Sequence, residues 1–199
     1  MDPQWQPAGS QLFNSKRAVA THSQPMLGRT PHINPMHKVH ESMFVPILRG
    51  TFYRAIDPLF RSSAISGSIY AGRYSRPTEP TLYLSSSVDG VEAAMIAHSD
   101  SHSAALQILQ IDVEASRIVD LRDVSALAAI GIEPADAAAP WQEEANSGGT
   151  PRSWTVRDRL MEVGANGLID PSRKRPLLWH LVLFRWNERD APIVHVIGQ

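Results

Sequence analysis

The chain has 199 residues, 43% hydrophobic and 20% charged, with a formal net charge of -1, which bounds it to one globular core of ordinary size without a global basic field for nucleic acid. It contains no cysteine, excluding disulfides, thiolate zinc sites and a thiol nucleophile. No apolar run of about 18 residues and no charged-then-apolar amino end occurs, so the expectation is a soluble, cytoplasmic protein with no membrane and no direct nucleic-acid contact.

Residues 1–45 are rich in Pro, His, Ser and Gln. Such a composition buries little surface against the entropy of ordering, so this stretch reads as a polar extended arm or a partly disordered one, a place for homo-oligomer or partner contacts. The folded domain, 46–199, begins near Phe44. Strand-like runs follow in "ILRGTFYRA" (47–55), "TLYLSS" (81–86), "ALQILQIDV" (105–113), "LLWHLVLFRW" (177–186) and "PIVHVIG" (192–198), alternating or rich in β-branched and aromatic residues.

Helical spacing is found in "SVDGVEAAMIAHS" (87–99), with Ser87 as N-cap and Val91, Met95 and Ala94 on one face, and in "TVRDRLMEVGA" (155–165), with Val156, Leu160 and Val163 on one face before Gly164. A shorter helix is expected at 123–131. The Ala/Pro/Gly-rich segment 133–153 reads as a long functional or mobile loop. Strands and helices that do not alternate regularly indicate an α+β fold rather than a doubly wound parallel sheet.

The sequence lacks a dinucleotide-fold glycine fingerprint, a P-loop, a zincin helix and a nucleophile elbow, so any nucleotide must be held by side chains. His32, His37 and His40 sit in the arm, and His98 and His102 are four apart, a spacing that suits a metal on one helical face, although no acidic third ligand has a convincing spacing. Of the tryptophans, Trp179 and Trp186 fit a core, whereas Trp154, beside the loop, fits either a core or a stacking surface.

The stretch "GRYSRPTEPTLYLSSS" (72–87) carries most of the chemistry. Arg54, closing "TFYR", and Arg73, opening the turn toward Tyr83, suit a two-pronged grip on a pyrophosphate, since planar guanidinium groups donate paired hydrogen bonds to phosphate oxygens; the ordinary alternative is a surface salt bridge for each. Tyr83 can lie against a planar heterocycle or fill the core. Glu92 can stabilise a positively charged sugar or be an exposed helix carboxylate.

These elements resemble the RES family, toxin halves of bacterial toxin-antitoxin pairs. The resemblance spans about residues 48–198, through "YR" at 53–54, "GRYSRPTEPTLYLSSS", the Glu-containing helix and "GLIDPSRKRP" at 167–176. Ser75 and Thr78 stand where the family usually has Asn and Gly. The resemblance implies an ADP-ribosyltransferase-like fold, with a split, mostly antiparallel mixed sheet flanked by helices. It further implies an enzyme that consumes NAD by hydrolysis, phosphorolysis or ADP-ribosyl transfer to a target protein, without a metal.

For the residues, the resemblance implies that Arg54 and Arg73 hold the dinucleotide, with Tyr83 lining the nicotinamide pocket. Glu92 is then the catalytic carboxylate, Asp89 being the alternative because the family glutamate falls near Ala94, and Ser172 of "DPS" is the family serine. Trp154 joins the cofactor-binding set on the stacking reading of its position beside the loop, not on the resemblance. Arg173, Lys174 and Arg175 lie nearby, or form a solvated turn. An Xre-type helix-turn-helix antitoxin covering the cleft is implied as partner. A non-catalytic nucleotide-binding module on the same fold and a histidine-based metal hydrolase are the competing readings.

Overall fold

The computed structural model describes residues 43–95 and 106–198. The arm upstream, with His32, His37 and His40, and the His98/His102 pair therefore lie outside the described residues. At the start, Met43 is buried and Phe44 bridges to Val119.

Strand β1 (Leu48–Ile56) pairs along its length with antiparallel β3 (Gln107–Ala115), Leu48 opposite Ala115 and Ile56 opposite Gln107. Phe52, Leu109, Ile111 and Val113 are buried on one face, while Thr51, Gln110 and Glu114 are exposed on the other. This period of two is what a sheet covered on one side requires. β7 (Ile193–Val196) extends this part at the edge, antiparallel to β3.

The second part is built from β2 (Leu82–Ser85), β6 (Trp179–Leu183), β5 (Gly167–Pro171) and β4 (Ile118–Asp120). Only the β4/β5 pair is parallel among the described strands, and the full order is β4-β5-β6-β2-β1-β3-β7. The two parts meet at one residue pair of the described register, Tyr53 opposite Ser85. The fold is thus α+β with a mixed, mostly antiparallel seven-stranded sheet. β4 and β5 are additions to the sequence expectation, as are two short helices inside the segment expected as a loop.

The helices are α1 (Val88–Met95), α2 (Val124–Ala129), α3 (Pro134–Ala138), α4 (Trp141–Asn146) and α5 (Arg152–Glu162). Asp123 caps α2 by accepting from the Ser125 and Ala126 amides, satisfying two of its orphan donors. At the end of α5, Gly164 adopts φ +74 and its amide donates to Met161, while the Ala165 amide reaches back to Leu160. That pairing is the Schellman motif, and it explains why the helix stops at a glycine.

Two buried clusters cover the two sheet faces. The first joins Val119, Leu168 and Val182 to Leu127, Val156, Leu160 and Tyr74. The second holds Leu82, Leu84, Leu181, Leu183, Phe52 and Ile111, with Trp179 and Trp186 packed against it. Trp179 meets Phe52 edge-on at 5.7 Å, and Trp186 donates its indole N–H to the Ile65 carbonyl at 2.8 Å. Among the described residues no helix is long and apolar enough to cross a membrane.

Candidate active site

The site begins with a turn. Gly72 and Ser75 exchange backbone hydrogen bonds, 2.9 and 3.2 Å, so the chain doubles back with Arg73 and Tyr74 at its tip. The Tyr83 hydroxyl secures this turn from β2, accepting from the Tyr74 amide at 3.1 Å and lying 3.2 Å from Ser75 Oγ. Gly72 is required by that closeness, since a Cβ there would sit 2.9 Å from both the Tyr83 hydroxyl and Ser75 Oγ. From α5, Trp154 donates its indole N–H to the Gly72 carbonyl at 2.8 Å and Ser153 donates to the Arg73 carbonyl at 2.5 Å.

Around the turn, charge is concentrated. Asp170, at the end of β5 with its side chain only 9% exposed, accepts from both terminal nitrogens of Arg173 at 3.0 Å and from the Tyr74 hydroxyl at 2.9 Å. Arg173 also donates to the Ala137 carbonyl at 2.8 Å, and Arg73 Nη1 reaches the Ala137 and Ala139 carbonyls at 3.2 and 2.5 Å. Two guanidinium groups thus cover the carbonyl end of α3, where the exposed backbone acceptors favour cations. Burial, and then Arg173, lower the Arg73 pKa; for Arg173 burial works in the same sense, but Asp170 more than offsets it and the pKa rises. Burial, reinforced by Asp170, raises the Tyr74 pKa, keeping the phenol neutral.

Arg73 Nε and Nη2 have no partner among the described residues. Half-buried guanidinium donors left open beside a second arginine form a ready anion site.

The predicted residues are only partly brought together. Arg73, Tyr83 and Trp154 converge on the turn, Tyr83 and Trp154 through their polar atoms. Arg54 does not join them: Tyr53 opposes Ser85, so Arg54 points to the other face, where it donates to the Ala64 carbonyl at 2.6 Å within the second cluster. The two arginines are not paired, because one residue along a strand reverses the side chain. Ser172 accepts from the Arg175 amide at 3.3 Å and its own amide donates to Leu178, which shapes the turn leading to β6.

Glu92 is exposed. Gly90 faces β2, where a Cβ would meet Ser85 Cβ at 3.2 Å, and Glu92 lies two helical positions, about 200°, further round. Its carboxylate is therefore directed away from Ser85. Asp89 is exposed as well.

Sequence reasoning missed Asp170, and it treated Arg173 equally as a solvated turn residue. The available signal was a lone carboxylate ending the otherwise apolar run "GLID", three residues before an arginine. Ser85 and His180, which face each other at 3.1 Å across β2 and β6, also escaped notice.

The RES domain model matches residues 51–198. The chain belongs to the RES family. Among solved structures, the RES chain is similar to one from the M. tuberculosis MbcT-MbcA toxin-antitoxin complex, with 20% sequence identity and a TM-score of 0.44 over 73% of this chain and 79% of that one. No curated protein matches the RES chain.

Proposed function

We propose that this RES domain is the toxin of a toxin-antitoxin pair and consumes NAD by breaking the bond between nicotinamide and ribose. The observation that carries the reading is Arg73, half-buried with two nitrogen positions open beside Arg173, in a chain of the RES family. Nicotinamide is already a good leaving group, so the chemistry asks chiefly for electrostatic complementarity: cations on the pyrophosphate and a shaped polar surface at the ribose. Arg73 and Arg173 supply the positive end. Tyr83 and Trp154 fix the turn that presents Arg73, and Ser172 shapes the turn that follows Arg173 and leads to β6. The acceptor is water, inorganic phosphate or a target protein. An Xre-type antitoxin over the cleft would restrain the enzyme, leaving DNA contacts to that partner, in a cytoplasmic setting.

The outward direction of Glu92 favours a second reading, a nucleotide-binding module on the same fold without turnover. Calorimetric titration of NAD into wild type and Arg73→Ala tests the shared part of both. Loss of a charge-assisted phosphate contact predicts affinity weaker by about 1.5–3 kcal/mol in Arg73→Ala. Unchanged affinity in a folded variant removes Arg73 from the site. Turnover in Glu92→Gln then separates the readings: a catalytic Glu92 requires a large fall in rate with binding retained.

A further inference from the structure

A polar row crosses the sheet where its two parts meet. His180 on β6 stands opposite Asp170 on β5 and opposite Ser85 on β2, and Tyr53 of β1 stands opposite Ser85. Directly opposed residues share a face, so all four side chains lie on the side of the first cluster, with Tyr83. Ser85 Oγ is 3.1 Å from His180 Nδ1. Nε2 of this half-buried ring, like the hydroxyl of half-buried Tyr53, has no partner among the described residues. Neither atom is sealed from solvent, since Arg157 Nε is the only buried side-chain polar atom left without a partner among the described residues, so both stand open to a water molecule or a ligand.

We propose that His180 is the proton acceptor of this site, a role that rests on the reading of the domain as an NAD-consuming enzyme and extends it to hydrolysis. With Nδ1 protonated and donating to Ser85 Oγ, Nε2 holds the free lone pair. A water molecule gives a proton to Nε2 as its oxygen bonds to ribose C1′. The C1′–N bond breaks, its electron pair passes to the ring, and neutral nicotinamide leaves; the imidazolium then returns its proton to solvent. The charged groups facing the ring are Asp170 of β5 and Arg173 of the following turn; Tyr74, bonded to Asp170, is a neutral phenol, Tyr53 shares the face, and Asp89 and Glu92 of α1 are exposed. Burial lowers the His180 pKa, Arg173 adds to this and Asp170 opposes it, so the ring is neutral and competent at pH 7.

The test follows nicotinamide release from about pH 5 to 9, with calorimetric NAD affinity, for wild type, His180→Gln and Ser85→Ala. Wild-type kcat is expected to fall on the acid side with an apparent pKa below 6.5. In His180→Gln the acid limb disappears and kcat drops by about 10²-fold or more, while NAD affinity stays near wild type. Ser85→Ala keeps the limb with a smaller fall. Melting curves establish folding, and His180→Asn replaces His180→Gln if the longer side chain does not fold. An acid limb and kcat unchanged in a folded His180 variant overturn this role alone. NAD bound but never cleaved by wild type overturns the role and leaves the binding part of the reading standing; NAD neither bound nor cleaved overturns both.

Discussion

Asp170→Asn is the most informative single change in the network that presents Arg73. The carboxylate is 9% exposed and accepts three hydrogen bonds, two from Arg173 and one from Tyr74. Asparagine keeps the shape but loses the charge, and its amide places N–H groups against a guanidinium. Breaking a buried ion pair costs about 3–5 kcal/mol. Arg173 keeps its bond to the Ala137 carbonyl and its side chain is 32% exposed, which reduces the expected loss to about 2–3 kcal/mol. Tyr74→Phe removes from a fully buried ring a hydroxyl that donates to Asp170 at 2.9 Å and accepts from Arg173 at a longer 3.3 Å, so about 1.5–3 kcal/mol is expected. Because both variants act on the same contact, the double variant should be less destabilised than their sum. Urea unfolding followed by circular dichroism measures all three. A loss below about 0.5 kcal/mol in Asp170→Asn, or strict additivity, would refute the reasoning that this carboxylate anchors the turn.

Gly72→Ala should destabilise by about 1–3 kcal/mol, because its Cβ meets the Tyr83 hydroxyl and Ser75 Oγ at 2.9 Å; urea midpoints with near-ultraviolet dichroism of the tyrosines check it. Stability should decline as pH falls below 6.5, since the folded His180 pKa is lowered and the unfolded chain then binds more protons. His180→Gln should reduce that slope in urea midpoints measured across the range. At the sheet edge, the Asn187 side chain accepts from the Val194 amide at 2.7 Å and donates to its carbonyl at 2.8 Å, occupying positions another strand would use. Asn187→Ala should therefore raise self-association in sedimentation velocity.

How much of this was legible in sequence depends on the range of the signal. β1, β3 and β7 alternate, so their faces can be read directly. β5 is buried on both faces and β4 is three residues long, and neither produces a period. The helices α3 and α4 are too short for helical periodicity; Arg73 and Arg173 secure the carbonyl end of α3 from distant parts of the chain.

The proximity of Arg73 and Tyr83 was readable because one turn holds them together. The bond between Tyr74 and Asp170 spans 96 positions, and the Ser85–His180 contact spans 95. Such partners meet only through sheet order. Local spacing carries no record of them. The same limit affected Arg54, whose neighbour Tyr53, rather than Arg54 itself, faces Ser85.

The central claim is most directly tested by incubating the purified chain with NAD, with and without inorganic phosphate and lysate proteins, and resolving the products by mass spectrometry. The account predicts free nicotinamide appearing with ADP-ribose, and loss of that product in Arg73→Ala. NAD recovered intact after long incubation under every condition would contradict it.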